Sequence, residues 1–181
     1  MKMEDKISNF KSPIRLVRLS DEHTIAFKEE MQEAFQHGFG AYYKDDNQWQ
    51  VLPDKDFYQS MEAAGAEAYE AISENGQRVG GAVITANGKM GELAFLYVKV
   101  GVQSKGIGQS IWKAIEAMHH EIEVWETCTP YFDRRNIHFY INCCGFHAVE
   151  FFNEHHPDPN MPEQFDQEDG LFKFEKRMKE R

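Results

Sequence analysis

A strand that runs directly into a glycine-rich turn and then into a helix constrains this chain more than any other feature. Residues 91–100 are rich in β-branched and aromatic side chains, as in a buried strand. From residue 107 onward, Ile107, Ile111 and Ile115 recur at the four-residue spacing of one helical face. The first amides of a helix lack intrahelical partners and carry the positive end of the helix dipole. With the charge of Lys105 added, these amides predict an anion site suited to a diphosphate.

We call residues 103–109 the cradle. The glycines can also serve only to shape a tight turn, and a short glycine pattern alone does not decide between the two uses. The spacing excludes two other phosphate-binding patterns, because no Gly-Lys-Ser/Thr follows and the three glycines of the dinucleotide fingerprint are missing. The cradle consists of Gln103, Ser104, Lys105, Gly106, Ile107, Gly108 and Gln109.

The run 96–108 resembles the acetyl-coenzyme A motif of the GNAT acetyltransferase superfamily, Gln/Arg-x-x-Gly-x-Gly/Ala after a strand reading Leu-x-Val. This resemblance implies acetyl-CoA as acyl donor, held by the cradle and by the backbone of Val98, Lys99 and Val100, which would pair with it like an added strand. It also implies that Asn136 contributes to cofactor binding. Val100 stands where many family members carry proline, and the Lys99 side chain is better explained as an ordinary solvated lysine than as part of the anion site.

Composition excludes several classes of partner. A net charge of −10 over 181 residues repels nucleic acid and anionic membranes and favours a cationic acceptor such as an amine. No apolar run reaches the roughly 20 residues that a membrane-spanning helix needs, and the first residues lack the apolar segment of a signal peptide. The three cysteines do not form a disulfide framework. We therefore expect a reducing, cytoplasmic setting with no nucleic-acid or membrane partner.

Periodicity and turn signals predict one domain over residues 1–181, with 1–13 and 179–181 frayed. Strands are expected at 14–19, 67–73, 79–85, 91–100, 121–128 (ended by Thr129-Pro130), 146–152 and 170–178. Helices are expected from residue 21 to about 38, over 53–64, after the cradle and over 133–144, and an aromatic loop follows the first. The GNAT fold has the same order. The resemblance thus implies an α/β (α+β) fold: a mixed, mostly antiparallel sheet flanked by helices, with two strands splayed apart at the cofactor site.

A second family landmark is a tyrosine on the helix after the fifth strand, followed by Gly-Phe. Tyr140 and Gly145-Phe146 match in content, and a phenol with a pKa of about 10 can protonate a thiolate with a pKa of about 8.5. However, Tyr140 precedes the glycine by five residues, whereas the family spacing is four. One helical position is about 100° of rotation. Either the helix end is wound differently here, or Tyr140 is not the family's acid but a core residue.

An amine that attacks a thioester must be unprotonated, so the reaction needs a base or a water chain. Glu92 precedes Val98 by six residues on one strand, so simple alternation predicts that both side chains share a face. Some GNAT members use a glutamate at this offset as the base. Glu126, on the opposite face of its strand from Trp125 and Thr127, is the rival. Either carboxylate can instead be a solvated or ion-paired surface group.

We expect no metal, because adjacent His119 and His120 diverge on a helix and the loop pair at 155–156 is weak evidence for zinc. The sequence therefore predicts an acetyl-CoA-dependent N-acyltransferase that moves an acetyl group to the primary amine of a small molecule by direct attack on the thioester. The alternatives are acetylation of a protein or peptide amine and a non-catalytic CoA-binding sensor module. Dimers are common in the resembled family, so a homodimer is an open expectation.

Overall fold

Seven strands form a single sheet in the order β1-β2-β3-β4-β5-β7-β6. The computed structural model describes residues 13–41, 50–102, 106–159 and 170–178. The strands are β1 (Ile14–Arg18), β2 (Ala66–Ser73), β3 (Arg78–Asn87), β4 (Met90–Val98), β5 (Val124–Pro130), β6 (His147–Phe152) and β7 (Leu171–Arg177). The helices are α1 (Thr24–Gly40), α2 (Asp54–Glu62), α3 (Ile107–Met118) and α4 (Arg134–His138), which continues as a π-helical turn (Phe139–Cys143).

The sheet is mixed and mostly antiparallel, as predicted. Every neighbouring pair of strands is antiparallel except β4 and β5, which run parallel. The cradle helix α3 provides the crossover between these two strands, as parallel neighbours require. In the described ranges, no helix is long and apolar enough to cross a bilayer.

Helices cover both faces of the sheet and enclose two apolar cores. On one face α3 buries Trp112 against Trp125 of β5, with ring centroids 5.2 Å apart. On the other face α1 buries Phe27 against Tyr97 of β4, with ring centroids 5.4 Å apart. The two aromatic pairs fix which side chains of β4 and β5 point toward α3 and which point toward α1. We call these two faces of the sheet the α3 side and the α1 side.

Two predicted elements, the fifth strand and the helix after it, differ from those in the structure. The expectation that Thr129-Pro130 ends the fifth strand is wrong, because β5 continues to Pro130. Over its last residues β5 pairs with β7 alone, and proline is tolerated where one edge of a strand has no partner. The predicted helix 133–144 changes pitch part-way, at Phe139. The aromatic loop around Tyr42, Tyr43 and Trp49 lies outside the described residues.

The close approach of α1 to β3 gives a stability prediction. A Cβ added at Gly81 would lie 2.3 Å from Cε2 of Phe27 and 2.6 Å from the backbone oxygen of Tyr69. Neither neighbour can withdraw easily, so Gly81→Ala should lower the free energy of unfolding by about 1–3 kcal/mol or more. Urea denaturation measures this change.

The matched control is Gly38→Ala in α1, where an added Cβ meets nothing within 4 Å. Because alanine is the better helix former, this variant should gain about 0.5–1 kcal/mol. Equal stability of the two alanine variants would contradict the packing of α1 on β3.

Candidate active site

Strands β4 and β5 separate shortly after they begin. Their first three residues pair in parallel, ending with Glu92 opposite Glu126. Both strands then continue, to Val98 and Pro130, without pairing to each other, although both segments are fully described. One edge of β4 therefore carries backbone donors and acceptors that an extended ligand can pair with as an added strand would. The predicted splayed pair is confirmed.

A bulge in β4 lies immediately beyond the point of separation. Along the β3–β4 ladder, Ile84 pairs with Leu93 whereas Val83 pairs with Phe95. Ala94 is thus an extra residue on β4 with no opposite number on β3. Because strand side chains alternate with period two, one extra residue reverses the face of everything that follows it.

The packing of β4 confirms this reversal. Leu93 packs in the core under α3, whereas Tyr97, four residues later, packs in the core under α1. Glu92 precedes Leu93 and Val98 follows Tyr97, so their side chains lie on opposite faces of the sheet. The prediction that Glu92 and Val98 share a face is therefore wrong, since simple alternation does not anticipate the bulge.

The N-terminus of α3 has the geometry of an anion site. Gly106 has φ of 87°, in the left-handed region that favours glycine. The first helical bond runs from the Ser110 amide to the Gly106 oxygen at 2.8 Å. The amides of Ile107, Gly108 and Gln109 precede that bond and have no partner within the helix. The remaining cradle residues lie outside the described ranges: Gln103, Ser104 and Lys105.

Two cradle residues also hold α3 in place. A Cβ added at Gly108 would lie 3.2 Å from two ring carbons of Phe139 and 3.6 Å from Cγ2 of Val98. The Gln109 side-chain amide donates to the backbone oxygen of Cys143 at 2.6 Å. The first turn of α3 thus packs directly on both β4 and the π-helical turn.

The side chains of Lys99 and Val100 turn toward α1 rather than toward the cradle. Lys99 Nζ donates to a carboxylate oxygen of Glu30 at 3.0 Å, and Arg78 donates to both oxygens of the same group at 2.8 and 3.1 Å. Burial alone would raise the pKa of Glu30, but these hydrogen bonds lower it below its usual value. Val100 packs against the α1-side core.

The backbone here remains suited to a ligand. The Lys99 amide donates to the Val79 oxygen of β3 at 2.9 Å. Because consecutive amides of a strand point to opposite edges, that of Val98 points to the open edge of β4. Val100 lies beyond the end of β4, in a turn that the Val102 amide closes by donating to the Lys99 oxygen at 3.2 Å.

Asn136 lies in α4, which follows β5 at the same end of the sheet as the cradle. Asp133 caps this helix, and its Oδ1 accepts a hydrogen bond from the Asn136 amide at 3.0 Å. Burial raises the pKa of Asp133, while this bond acts in the opposite direction.

The π-helical turn accounts for the unusual position of Tyr140. The Cys144 amide donates to the Phe139 oxygen at 3.0 Å, across five residues instead of four. Such a turn holds one residue more than an α-helical turn. The five-residue spacing from Tyr140 to Gly145 follows, so the helix end is indeed wound differently.

Tyr140 lies on the π-helical turn and packs in the α3-side core. On the neighbouring β5, Thr127 Oγ1 donates to the Leu93 oxygen at 2.9 Å, and Leu93 is the first residue of β4 beyond the last parallel pair. Burial raises the pKa of Tyr140, and the Thr127 hydroxyl acts in the opposite direction, so the phenol is protonated at neutral pH. The ring is 7% exposed and lies among Phe139, Phe146 and Phe174.

Two carboxylates lie side by side on the other face, at the last parallel pair. Lys173 Nζ lies 2.9 Å from a carboxylate oxygen of Glu126, whereas the carboxylate of Glu92 forms no hydrogen bond or ion pair with any residue in the described ranges. Glu92 retains exposed surface, yet its neighbours remove part of the hydration of its carboxylate. This desolvation, followed by the charge of Glu126, raises the pKa of Glu92, and Lys173 opposes the rise.

Cys128, two residues after Glu126, is not set up as a nucleophile. The residue is exposed, but desolvation of its sulfur raises the pKa of the thiol to about 12, with the charge of Glu92 adding to the effect. The thiol is therefore protonated at neutral pH. Among the described side chains, no group of three or more His, Cys, Asp or Glu is arranged to hold a metal ion.

Sequence reasoning missed Thr127 and Lys173 as parts of the site. Alternation on β5 places Thr127 opposite Glu126, but a hydroxyl on a buried face carries no functional signal by itself. The partnership of Lys173 with Glu126 depends on β7 lying beside β5. Only the sheet order supplies that information.

Known proteins are similar to this chain in sequence or in fold. The model of the Acetyltransferase (GNAT) family matches residues 24–146. The Bacillus subtilis (strain 168) protein named Uncharacterized protein YrkN is 41% identical over 164 residues, which cover 86% of this chain and 88% of that protein. A GNAT family acetyltransferase from Elizabethkingia anophelis with acetyl-CoA bound has a TM-score of 0.66 at 14% identity, over 93% of this chain and 100% of that chain. Spermidine N-acetyltransferase from Vibrio cholerae, in complex with CoA and spermine, has a TM-score of 0.63 at 11% identity, over 92% and 96% of the two chains.

The contact between Gly108 and Phe139 can be tested by compensation. Gly108→Ala forces the Phe139 ring to yield by a few tenths of an ångström, at a cost of about 1–3 kcal/mol that the better helix propensity of alanine offsets by about 0.5–1 kcal/mol. Phe139→Leu removes the ring carbons that the new methyl group meets. The double variant should therefore lose less stability than the sum of the two single variants in thermal or urea unfolding. Strictly additive losses would show that α3 and the π-helical turn do not touch here.

Proposed function

The chain belongs to the acetyltransferase (GNAT) family, and from this premise we propose that it transfers the acetyl group of acetyl-CoA to the primary amine of a small molecule. One observation carries the proposal. An open strand edge begins at the last parallel pair of β4 and β5 and leads toward the amides of α3, with the Glu92 carboxylate on one face of the sheet and the Tyr140 phenol in the core on the other. This arrangement offers a binding track, with a candidate acid and a candidate base on its two sides.

The described residues offer contacts for two parts of an acetyl-CoA donor, the diphosphate and the pantetheine arm. The amides at the start of α3 would bind the diphosphate, since unpartnered amides at the positive end of a helix dipole attract anions. The Val98 amide, on the open edge of β4, would pair with the extended pantetheine arm. Acetyl-CoA supplies a thioester that an amine can attack directly, so no covalent intermediate on the protein is required.

Two side chains have the protonation states that the transfer needs. Desolvation and the charge of Glu126 raise the pKa of Glu92, and no cation of the described ranges forms an ion pair with its carboxylate; in its ionised form it can take a proton from the attacking amine. Tyr140 is protonated at neutral pH and can supply the proton that the departing thiolate needs. Glu126 is the weaker candidate for the base, because Lys173 holds its carboxylate.

A small amine is favoured over a protein or peptide as acceptor. The net charge of −10 attracts a compact cation, and the similar Vibrio cholerae enzyme is named for spermidine. The test is a panel of amines and lysine peptides with acetyl-CoA, scored by the thiol released. Turnover with peptides alone would favour the protein acceptor. Binding of acetyl-CoA without turnover on any amine would favour a sensor module.

The donor site can be tested at Gly106 with a matched pair of variants. Aspartate and asparagine both tolerate the left-handed backbone found there, and they differ only in charge. Gly106→Asp should weaken acetyl-CoA binding by about tenfold or more, because a like charge within about 4 Å costs roughly 1–4 kcal/mol between water and a protein surface. Gly106→Asn should bind nearly as wild type does. Equal calorimetric affinities for the two variants would place the diphosphate elsewhere.

The base can be tested through the pH dependence of turnover. A base must be ionised, so wild-type kcat/KM should rise with pH through the raised pKa of Glu92. Glu92→Gln should slow turnover by about 10²–10⁴-fold near neutral pH, with partial recovery at high pH as free amine accumulates. Acetyl-CoA affinity should stay nearly constant.

Glu126→Gln is the control for the neighbouring carboxylate. It removes the negative charge that helps to raise the pKa of Glu92, so the acidic limb of the pH profile should move to lower pH while turnover persists. If Glu126→Gln abolishes turnover and Glu92→Gln does not, the two roles are reversed.

A further inference from the structure

Gln109 is a cradle residue whose backbone and side chain serve different parts of the structure. Its backbone amide is one of the three at the start of α3 that have no partner within the helix. Its side-chain amide donates to the backbone oxygen of Cys143, at 2.6 Å. Cys143 is the last residue of the π-helical turn. One residue therefore joins the candidate donor site to the segment that carries Tyr140.

The π-helical turn ends in backbone hydrogen bonds of irregular span. The Cys144 amide donates to the Phe139 oxygen at 3.0 Å, and the Phe146 amide donates to the Tyr140 oxygen at 2.9 Å. These bonds span five and six residues, instead of the four residues of an α-helical bond. The carbonyls at the end of the turn lack later helical amides, so other donors must satisfy them.

Two side chains cap adjacent carbonyls at this end of the turn. The Cys143 oxygen accepts from Gln109, and the Cys144 oxygen accepts from Lys176 Nζ at 2.6 Å. Lys176 lies on β7, and its ammonium is also paired with Glu116, about two turns further along α3. Gln109 lies in the first turn of α3 itself. Of the two caps, Gln109 is therefore the one that a ligand bound to the first amides of α3 would hold in place.

We propose that Gln109 is a positioning residue that couples binding of the acyl donor to the order of the π-helical turn. The inference rests on the proposed function and extends it. A diphosphate bound to the first amides of α3 would hold the backbone of Gln109, and with it the side chain that caps Cys143. The contact of Gly108 with Phe139 joins the same two segments. Because coupling between two sites is reciprocal, an ordered turn in return strengthens donor binding, and the segment that carries Tyr140 is fixed when the donor is present.

The test replaces each cap by methionine, which is similar in length to both side chains and cannot donate a hydrogen bond. Gln109→Met should weaken acetyl-CoA binding in calorimetry by about 5- to 20-fold, at the lower end of the range typical of coupled sites. Lys176→Met is the matched control. It removes a cap and an ion pair, so it should lower the melting temperature at least as much, yet leave acetyl-CoA affinity nearly unchanged. Similar losses of affinity in the two variants would identify general destabilisation as the cause and overturn the proposal.

Hydrogen exchange measures the coupling at the turn itself. The exchange rates of the Cys144 and Phe146 amides are followed with and without coenzyme A. They are compared with the rate of the Leu19 amide, which is bonded to β2 near the β1 edge of the sheet. Coenzyme A should slow the two turn amides relative to Leu19 in the wild type and in Lys176→Met, but not in Gln109→Met. Slowing that persists in Gln109→Met would overturn the proposal.

Failure of the proposed function gives a different result. If coenzyme A slows exchange at the turn but no amine is acetylated, the proposed function fails and the coupling stands. If amines are acetylated while exchange at the turn does not respond to coenzyme A, the coupling fails and the proposed function stands. Absence of any calorimetric binding of coenzyme A or acetyl-CoA would overturn both.

Discussion

The structure depends on the separation of two parallel strands in the middle of one sheet. Parting β4 from β5 leaves backbone groups without strand partners, which is costly unless water or a ligand satisfies them. The sheet tolerates the gap because each strand is held along its other edge: β3 pairs along β4, and β7 pairs along the whole of β5. The opening is therefore built into the pairing pattern, and an extended ligand can fill it as a missing strand would.

A single extra residue, Ala94, then decides how the chemistry is divided between the two faces. Without the bulge, Glu92 would lie on the same face as Val98. With it, the Glu92 carboxylate lies on the α1 side, whereas the side chains of Val98 and Tyr140 lie on the α3 side. In the proposed reaction, an amine and a thioester would approach the point of separation from opposite faces. The proposed base on one side and the proposed acid on the other would match the direction in which a proton must pass, from nitrogen to sulfur.

The sequence was informative where structure is local and less so where it depends on strand pairing. The glycine turn, the helix after it and the element order follow from periodicity and turn residues, and all are found.

The error over Glu92 and Val98 arose because a period-two argument assumes an uninterrupted ladder, and a bulge is set by both strands together. Tyr140 is the intermediate case: its spacing from Gly145 showed that the helix end was irregular, but only the Cys144–Phe139 hydrogen bond identifies a π-helical turn. Lys173 became visible only once β7 was known to lie beside β5, and Thr127 only through its hydrogen bond to Leu93 of β4.

Charge at the donor site follows from this arrangement as well. The chain is acidic, yet its acyl donor is an anion. Lys99 is a cation that lies shortly before the cradle in the sequence. Its ammonium, however, is held by Glu30, and Arg78 is shared between Glu30 and Glu70. These two cations and two carboxylates balance, so the cluster fixes α1 on the sheet without adding net positive charge. In the proposed donor site, the attraction for a diphosphate would then come mainly from the amides at the start of α3. Since those amides depend on the tight turn at Gly106 and on the packing of Gly108 against Phe139, the proposed site relies on the geometry of the glycines more than on these cations.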